Sequence, residues 1–138
     1  MFRPAVLLRV ESVLVLVGST ALYRHHHGSW LPFGLLFFMP DISIALYLVS
    51  ARLGWRAYNL AHTYASPLVL IGLSLLTGHL RVAVLGLIWC AHIGWDRLLA
   101  FGMKLDEDFW ETHLGPLTAE QRLWEKFVAL FHARGGGA

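Results

Sequence analysis

Charge is what this sequence has least of. Only 14% of its 138 residues are Asp, Glu, Lys or Arg, while 57% are hydrophobic. A soluble domain carries about a quarter charged residues, so a water-facing surface of ordinary polarity cannot be built from this chain. Disorder is excluded by the same numbers, because it needs low hydrophobicity and high net charge. Cysteine is nearly absent too: Cys90 is alone, so no disulfide can form within the chain. The net charge of +2 comes from basic residues scattered singly, which argues against nucleic acid as a partner; Lys and Arg beside apolar segments report orientation in a bilayer instead. The start lacks the marks of a cleaved leader, since Arg9 and Glu11 interrupt its apolar run and no small-residue cleavage site comes cleanly after it.

What remains is apolar length. At about 20 residues per crossing, the chain holds four candidate spans near residues 4–23, 29–50, 54–77 and 80–104, and residues 57–80 contain no charge at all. The runs lack period-two alternation, so strands are excluded and helices are the way to satisfy backbone groups in lipid. The expected fold is all-α: a four-helix transmembrane bundle over 1–116, then an amphipathic helix at 117–134. That last helix begins with the capping pattern Thr118-x-x-Gln121 and places Leu123, Phe127, Leu130 and Phe131 on one face. The links YRHHHG (23–28), 51–55 and 77–81 are short, so neighbouring helices run antiparallel. Arg3, Arg9, Arg52, Arg56 and Lys104 then share a side against Arg24 and Arg81, which puts both termini in the cytoplasm of an inner-membrane protein.

Ionisable groups at membrane depth are costly and mark function by default. Asp41, His62, His92 and Asp96 all fall roughly 12–18 Å from that same side at about 1.5 Å per residue. His92 and Asp96 are one turn apart on a helix face, Asn59 and His62 share another, and Asp41 comes directly after Pro40, where the helix must bend or restart. Two imidazoles and two carboxylates converging from three helices suit a divalent metal such as zinc. On this reading Asp41, His62, His92 and Asp96 ligate. His113, in the THLG after span four, folds back as a further ligand, and Asp96, Asn59 and Thr63 (or Tyr58) serve the chemistry as base and water-orienting groups. The bland alternative is mutual neutralisation with Arg9, Arg56 and Arg97, and Glu11 is read that way, paired with Arg9 or Arg97. His25, His26 and His27 read as a solvated loop and His79 as interfacial.

The order PDIS (40–43), YNLAHTY (58–64), LIWCAHIGWDR (87–97) and THLG (112–115) resembles a bacterial family of small membrane proteins known as domain of unknown function 4260, from about Leu7 to Leu117. The resemblance implies no activity. A more distant likeness is to bacterial inner-membrane metal-dependent hydrolases of the DNA-damage-regulated kind, which carry PD-x-D, H-x-x-x-x-H-[ST] and H-x-x-x-D in this order. Pro40-Asp41, His62-Thr63 and His92-x-x-x-Asp96 match; Ser43 and Ala57 stand where a second Asp and an upstream His would be. The likeness therefore implies a metal-dependent hydrolase with a single-metal site or a degenerate one, and burial at membrane depth suggests a lipid-like ester or phosphoester as the substrate. Two other readings stay open. One is a non-enzymatic membrane protein, with a structural polar network, proton relay or solute path, whose small residues Gly72, Ser74, Gly86 and Gly94 serve packing or a homo-oligomer. The other is a haem-binding redox bundle with His62 and His92 as axial ligands.

Overall fold

A computed structural model describes residues 4–104 and two short strands, β1 (Glu111–Thr112) and β2 (Gly115–Pro116), paired antiparallel. The expected helix at 117–134 and the expected ligand His113 lie outside the described residues. The rest is helical: α1 (Pro4–His25), α2 (Trp30–Phe37), a 3-10 helix (Met39–Leu48), α3 (Ala51–Ala61), α4 (Ala65–Thr77) and α5 (Leu80–Leu98).

A small core of Tyr23, Tyr47, Tyr58, Ile88 and Ile93 is buried together with several polar side chains, and many large apolar side chains are exposed. Ser12, Ser19, His62, Ser74, His92 and Lys104 are buried, while Leu14, Leu31, Leu35 and Leu76 face outward. Val6–His25 and Trp30–Leu48 are each long and apolar enough to cross a membrane, and α3 with α4 makes a third length if their 51° bend lies within one span. Helix α5 carries Arg81, Asp96 and Arg97, too many charges for a lipid-facing span, yet it is the innermost element, with Gly86, Ile88 and the run Cys90 to Gly94 buried. It packs on α1, α4 and α2, and α3 packs on the 3-10 helix.

Three expected boundaries are corrected. The tight turn expected at 51–55 is the first turn of α3, because the Ser50 hydroxyl accepts the Leu53 amide (3.1 Å) and starts the helix there. The span expected at 54–77 is interrupted between Ala61 and Ala65. Pro67 lacks an amide and its ring collides with the carbonyl four residues earlier, so no straight helix can run through Thr63. The span expected to reach 104 stops at Leu98. Ala100 adopts φ +65°, and the amides of Phe101 and Ala100 bond back to the carbonyls of Asp96 (2.8 Å) and Arg97 (3.1 Å), a left-handed helix stop that reverses the chain.

Gly94 sets the approach of α1 to α5. A Cβ there would stand 3.0 Å from Leu16 N and Ser12 O, backbone atoms that cannot rotate away. Gly94→Ala, normally favourable in a helix by up to about 1 kcal/mol, is therefore expected to destabilise by about 1–3 kcal/mol. Thermal unfolding in detergent checks this: an unchanged or raised midpoint would contradict the contact.

Candidate metal centre

Two proline breaks and one continuous helix deliver the polar side chains. Pro40 ends α2 at Phe37 and opens the 3-10 helix, as its position suggests. With three residues per turn, side chains at every third position align. Asp41, Ile44 and Tyr47 thus share the inward line, while Ile42, Ala45 and Leu48 face out. At the second break His62 ends α3 as its C-terminal cap. The carbonyls freed there are satisfied by protein: the Trp89 indole donates to Ala61 O (2.6 Å) and the Ser66 hydroxyl to Leu60 O (2.5 Å). Irregular backbone at membrane depth is tolerated only when covered in this way. The third element, α5, carries His92 and Asp96 one turn apart.

These four side chains converge. His62 Nε2 lies 3.4 Å from Asp41 Oδ1, 3.3 Å from Asp96 Oδ2 and 3.3 Å from His92 Nε2. His92 Nε2 lies 3.5 Å from Asp41 Oδ1 and 3.4 Å from Asp96 Oδ2. All four donor atoms fall within 4.8 Å of one another. In a regular tetrahedron the edge is about 1.6 times the centre-to-corner distance, hence ~3.3–3.4 Å for the ~2.0–2.1 Å bonds of zinc. Four of the six separations have that length, the fifth is 3.5 Å, and the sixth, between Asp41 and Asp96, is within 4.8 Å.

Hydrogen bonding accounts for the arrangement only if the imidazoles are protonated, with each Nε2–H then facing the carboxylates of Asp41 and Asp96. His62 Nδ1 donates to Tyr58 O (2.9 Å), and since a carbonyl only accepts, the Nδ1 hydrogen is assigned by its partner. In neutral His62 the other nitrogen, Nε2, then presents a lone pair to two carboxylates and a second imidazole. Such a set of facing lone pairs is stable around a cation. The Nδ1–H to carbonyl bond is also the support that metal-bound histidines commonly have. Tyr58 adds to it by stacking on the His62 ring, 3.9 Å between centroids and 12° between planes. His92 is held differently: its ring meets Phe37 edge-on at 5.2 Å, and its buried Nδ1 has no hydrogen-bond partner among the described residues.

The remaining expected participants are placed elsewhere. Asn59, expected to orient water, clamps the chain after α5: its Nδ2 donates to Lys104 O (2.7 Å) and its Oδ1 accepts from Lys104 N (2.7 Å), with the Trp55 indole joining at Lys104 O (3.1 Å). Thr63 Oγ1 accepts from the Ala65 amide at 3.5 Å, at the start of α4. Arg97 does not neutralise the carboxylates; its guanidinium lies over the Tyr64 ring at 4.3 Å. Asp41 and Asp96 face the two imidazoles, not Arg9, Arg56 or Arg97, which overturns the guanidinium network for them. Among the described residues Glu11 has no ion pair with Arg9 or Arg97, and it is exposed on α1. His25, His26 and His27 are exposed at the end of α1 and the turn after it, outside any cluster able to hold a metal among the described residues. A haem is excluded by geometry: iron ligated on opposite faces needs its two nitrogens about 4 Å apart with the macrocycle between them, whereas these lie 3.3 Å apart with carboxylates at their sides.

Two features were not anticipated from the sequence, the support of His62 by Tyr58 and the second helix break. Pro67 was the available signal for the break, and the four-residue spacing of Tyr58 and His62 on one helix face was the signal for the stack. Asn59→Leu removes both bonds to Lys104 and is expected to cost about 1–3 kcal/mol while leaving the bound-ion stoichiometry unchanged. Loss of the ion from a variant that still folds would return Asn59 to the site.

The chain matches the family described as Domain of unknown function (DUF4260) over residues 5–117. No curated protein and no solved structure matches it.

Proposed function

Since the chain belongs to the DUF4260 family, whose description states no activity, we propose its function from the site: a multi-pass membrane protein that holds one divalent cation, zinc by the fit of its donors, and uses it to hydrolyse a lipid-like ester or phosphoester. The observation that carries this is the set of five donor separations between 3.3 and 3.5 Å. Two carboxylates and two neutral imidazoles also balance a divalent charge, so the loaded centre is electrically neutral, which the cost of charge at membrane depth demands. A bound ion of this kind polarises a carbonyl or phosphoryl oxygen and acidifies water. Asp41, His62, His92 and Asp96 hold it, and Tyr58 orients His62. We read α1, α2 with the 3-10 helix, α3 with α4, and α5 as four crossings of the inner membrane with both termini cytoplasmic. The apolar exterior favours a substrate that arrives from the lipid phase.

The count of four protein donors supports a second reading, in which the ion is structural, because catalytic zinc sites use three protein ligands and keep one position for water or substrate. Protein purified in detergent should contain close to one divalent ion per chain. It should also cleave long-chain p-nitrophenyl esters or phosphatidate in a reaction stopped by chelator and restored by zinc. Stoichiometric metal without cleavage selects the structural reading; protein that neither retains nor takes up a divalent ion ends both.

A further inference from the structure

A four-donor shell must open before an outside oxygen can reach the ion, and the four donors differ in how they are held. His62 and His92 are 3% and 1% exposed, and Asp96 is 14% exposed. Asp96 sits on unbroken α5, its backbone carbonyl engaged by Phe101 N in the helix stop. His62 is tied through Nδ1 to Tyr58 O and stacked on the Tyr58 ring. Asp41 is the exception. Its side chain is 37% exposed, it stands in the first turn of a 3-10 helix that begins at a helix break, and its carboxylate partners are the two imidazoles alone among the described residues. Its neighbours Phe38, Met39 and Ile42 are exposed apolar side chains, so the open edge of the centre faces a greasy surface.

We propose that Asp41 is the exchangeable ligand, and that the edge it guards is where an amphiphile's carbonyl, carboxylate or phosphoryl oxygen enters. One coordinate bond, from the Asp41 carboxylate oxygen, breaks and one from the incoming oxygen forms; His62, His92 and Asp96 stay in place. The inference rests on the metal-centre reading above and assigns the open position that a catalytic site needs.

Cobalt(II) reports coordination through its visible absorption, so the test uses cobalt-loaded full-length protein in detergent. Asp41→Ala is expected to lower cobalt affinity by only about 10-fold, because water can take the place of an exchangeable ligand, whereas Asp96→Ala removes a fixed ligand and should exceed the roughly 100-fold upper end of the penalty for supporting residues. Asp96→Asn stands in if Asp96→Ala does not fold. Added acetate should shift the Asp41→Ala spectrum by filling the vacated position, and octanoate should do so at least about tenfold more effectively, because its chain lies against Phe38 and Ile42. Equal losses of affinity in the Asp41 and Asp96 variants, or a carboxylate response in the Asp96 variant only, overturns the assignment. Equal potency of acetate and octanoate overturns the apolar entrance. Failure of the unmodified protein to bind cobalt is a different result, which removes the metal centre itself.

Discussion

His92→Gln is expected to abolish stoichiometric metal binding. The imidazole is 1% exposed, and its Nε2 stands 3.3–3.5 Å from each of the other three donor atoms. Without it three donors remain, two of them carboxylates, and no other described residue joins the cluster to complete a fourth corner. Loss of a direct ligand should exceed the 10–100-fold penalty typical of supporting residues, so affinity should fall by more than about 100-fold. Glutamine keeps a polar side chain of similar length and avoids the cavity that alanine would leave beside Phe37. Glu11→Gln, on the exposed side of α1, is the control and should retain the ion. Metal analysis after identical purification decides the matter: equal ion content in the His92 variant and the unmodified protein would rule the centre out.

Removing the ion should cost the fold a comparable amount. Stripped of a cation, the centre leaves Asp41 and Asp96 within 4.8 Å of each other at the meeting point of the 3-10 helix, α3 and α5. A ligand present at 1,000 times its dissociation constant stabilises by about 4 kcal/mol, which for a chain of this size corresponds to a shift on the order of 10 °C in the unfolding midpoint. Chelator is therefore expected to lower the midpoint of the unmodified protein by that order and to leave His92→Gln unmoved. Tryptophan fluorescence on heating gives the comparison. An equal chelator effect in both proteins would mean that the stabilising ion sits elsewhere.

Much of this protein is legible without coordinates. The scarcity of charge excludes a soluble domain, the uncharged runs require helices, and Pro40 announces a break that puts Asp41 at the start of a new segment. Asking which ionisable groups sit within apolar runs finds Asp41, His62, His92 and Asp96, which the structure groups together, but also Arg9, Glu11 and Arg97, which lie outside that cluster. Asn59 passes a weaker test, sharing a helix face with His62, and is placed instead on the backbone of Lys104. A shared face says which way a side chain leaves its helix, but not what the chain folds back to meet there.

Residue counting along an apolar run estimates how far a side chain lies from the end of its helix, because rise per residue is nearly constant, but the ends expected at 54 and 104 lie at Ala51 and Leu98, so what the sequence alone determined here is which residues are the candidates. Azimuth is different. Each helix break resets the rotation of the next segment, so the angle between Asp41 and His62 depends on the turn at 49–50 that joins the 3-10 helix to α3. The separation of α1 from α5 depends on the missing side chain at Gly94. Only the packed structure could decide that the four candidate donors come together, with Tyr58 stacked on His62. The reason is that a tetrahedral shell is satisfied over tenths of an ångström, whereas periodicity locates a side chain to several.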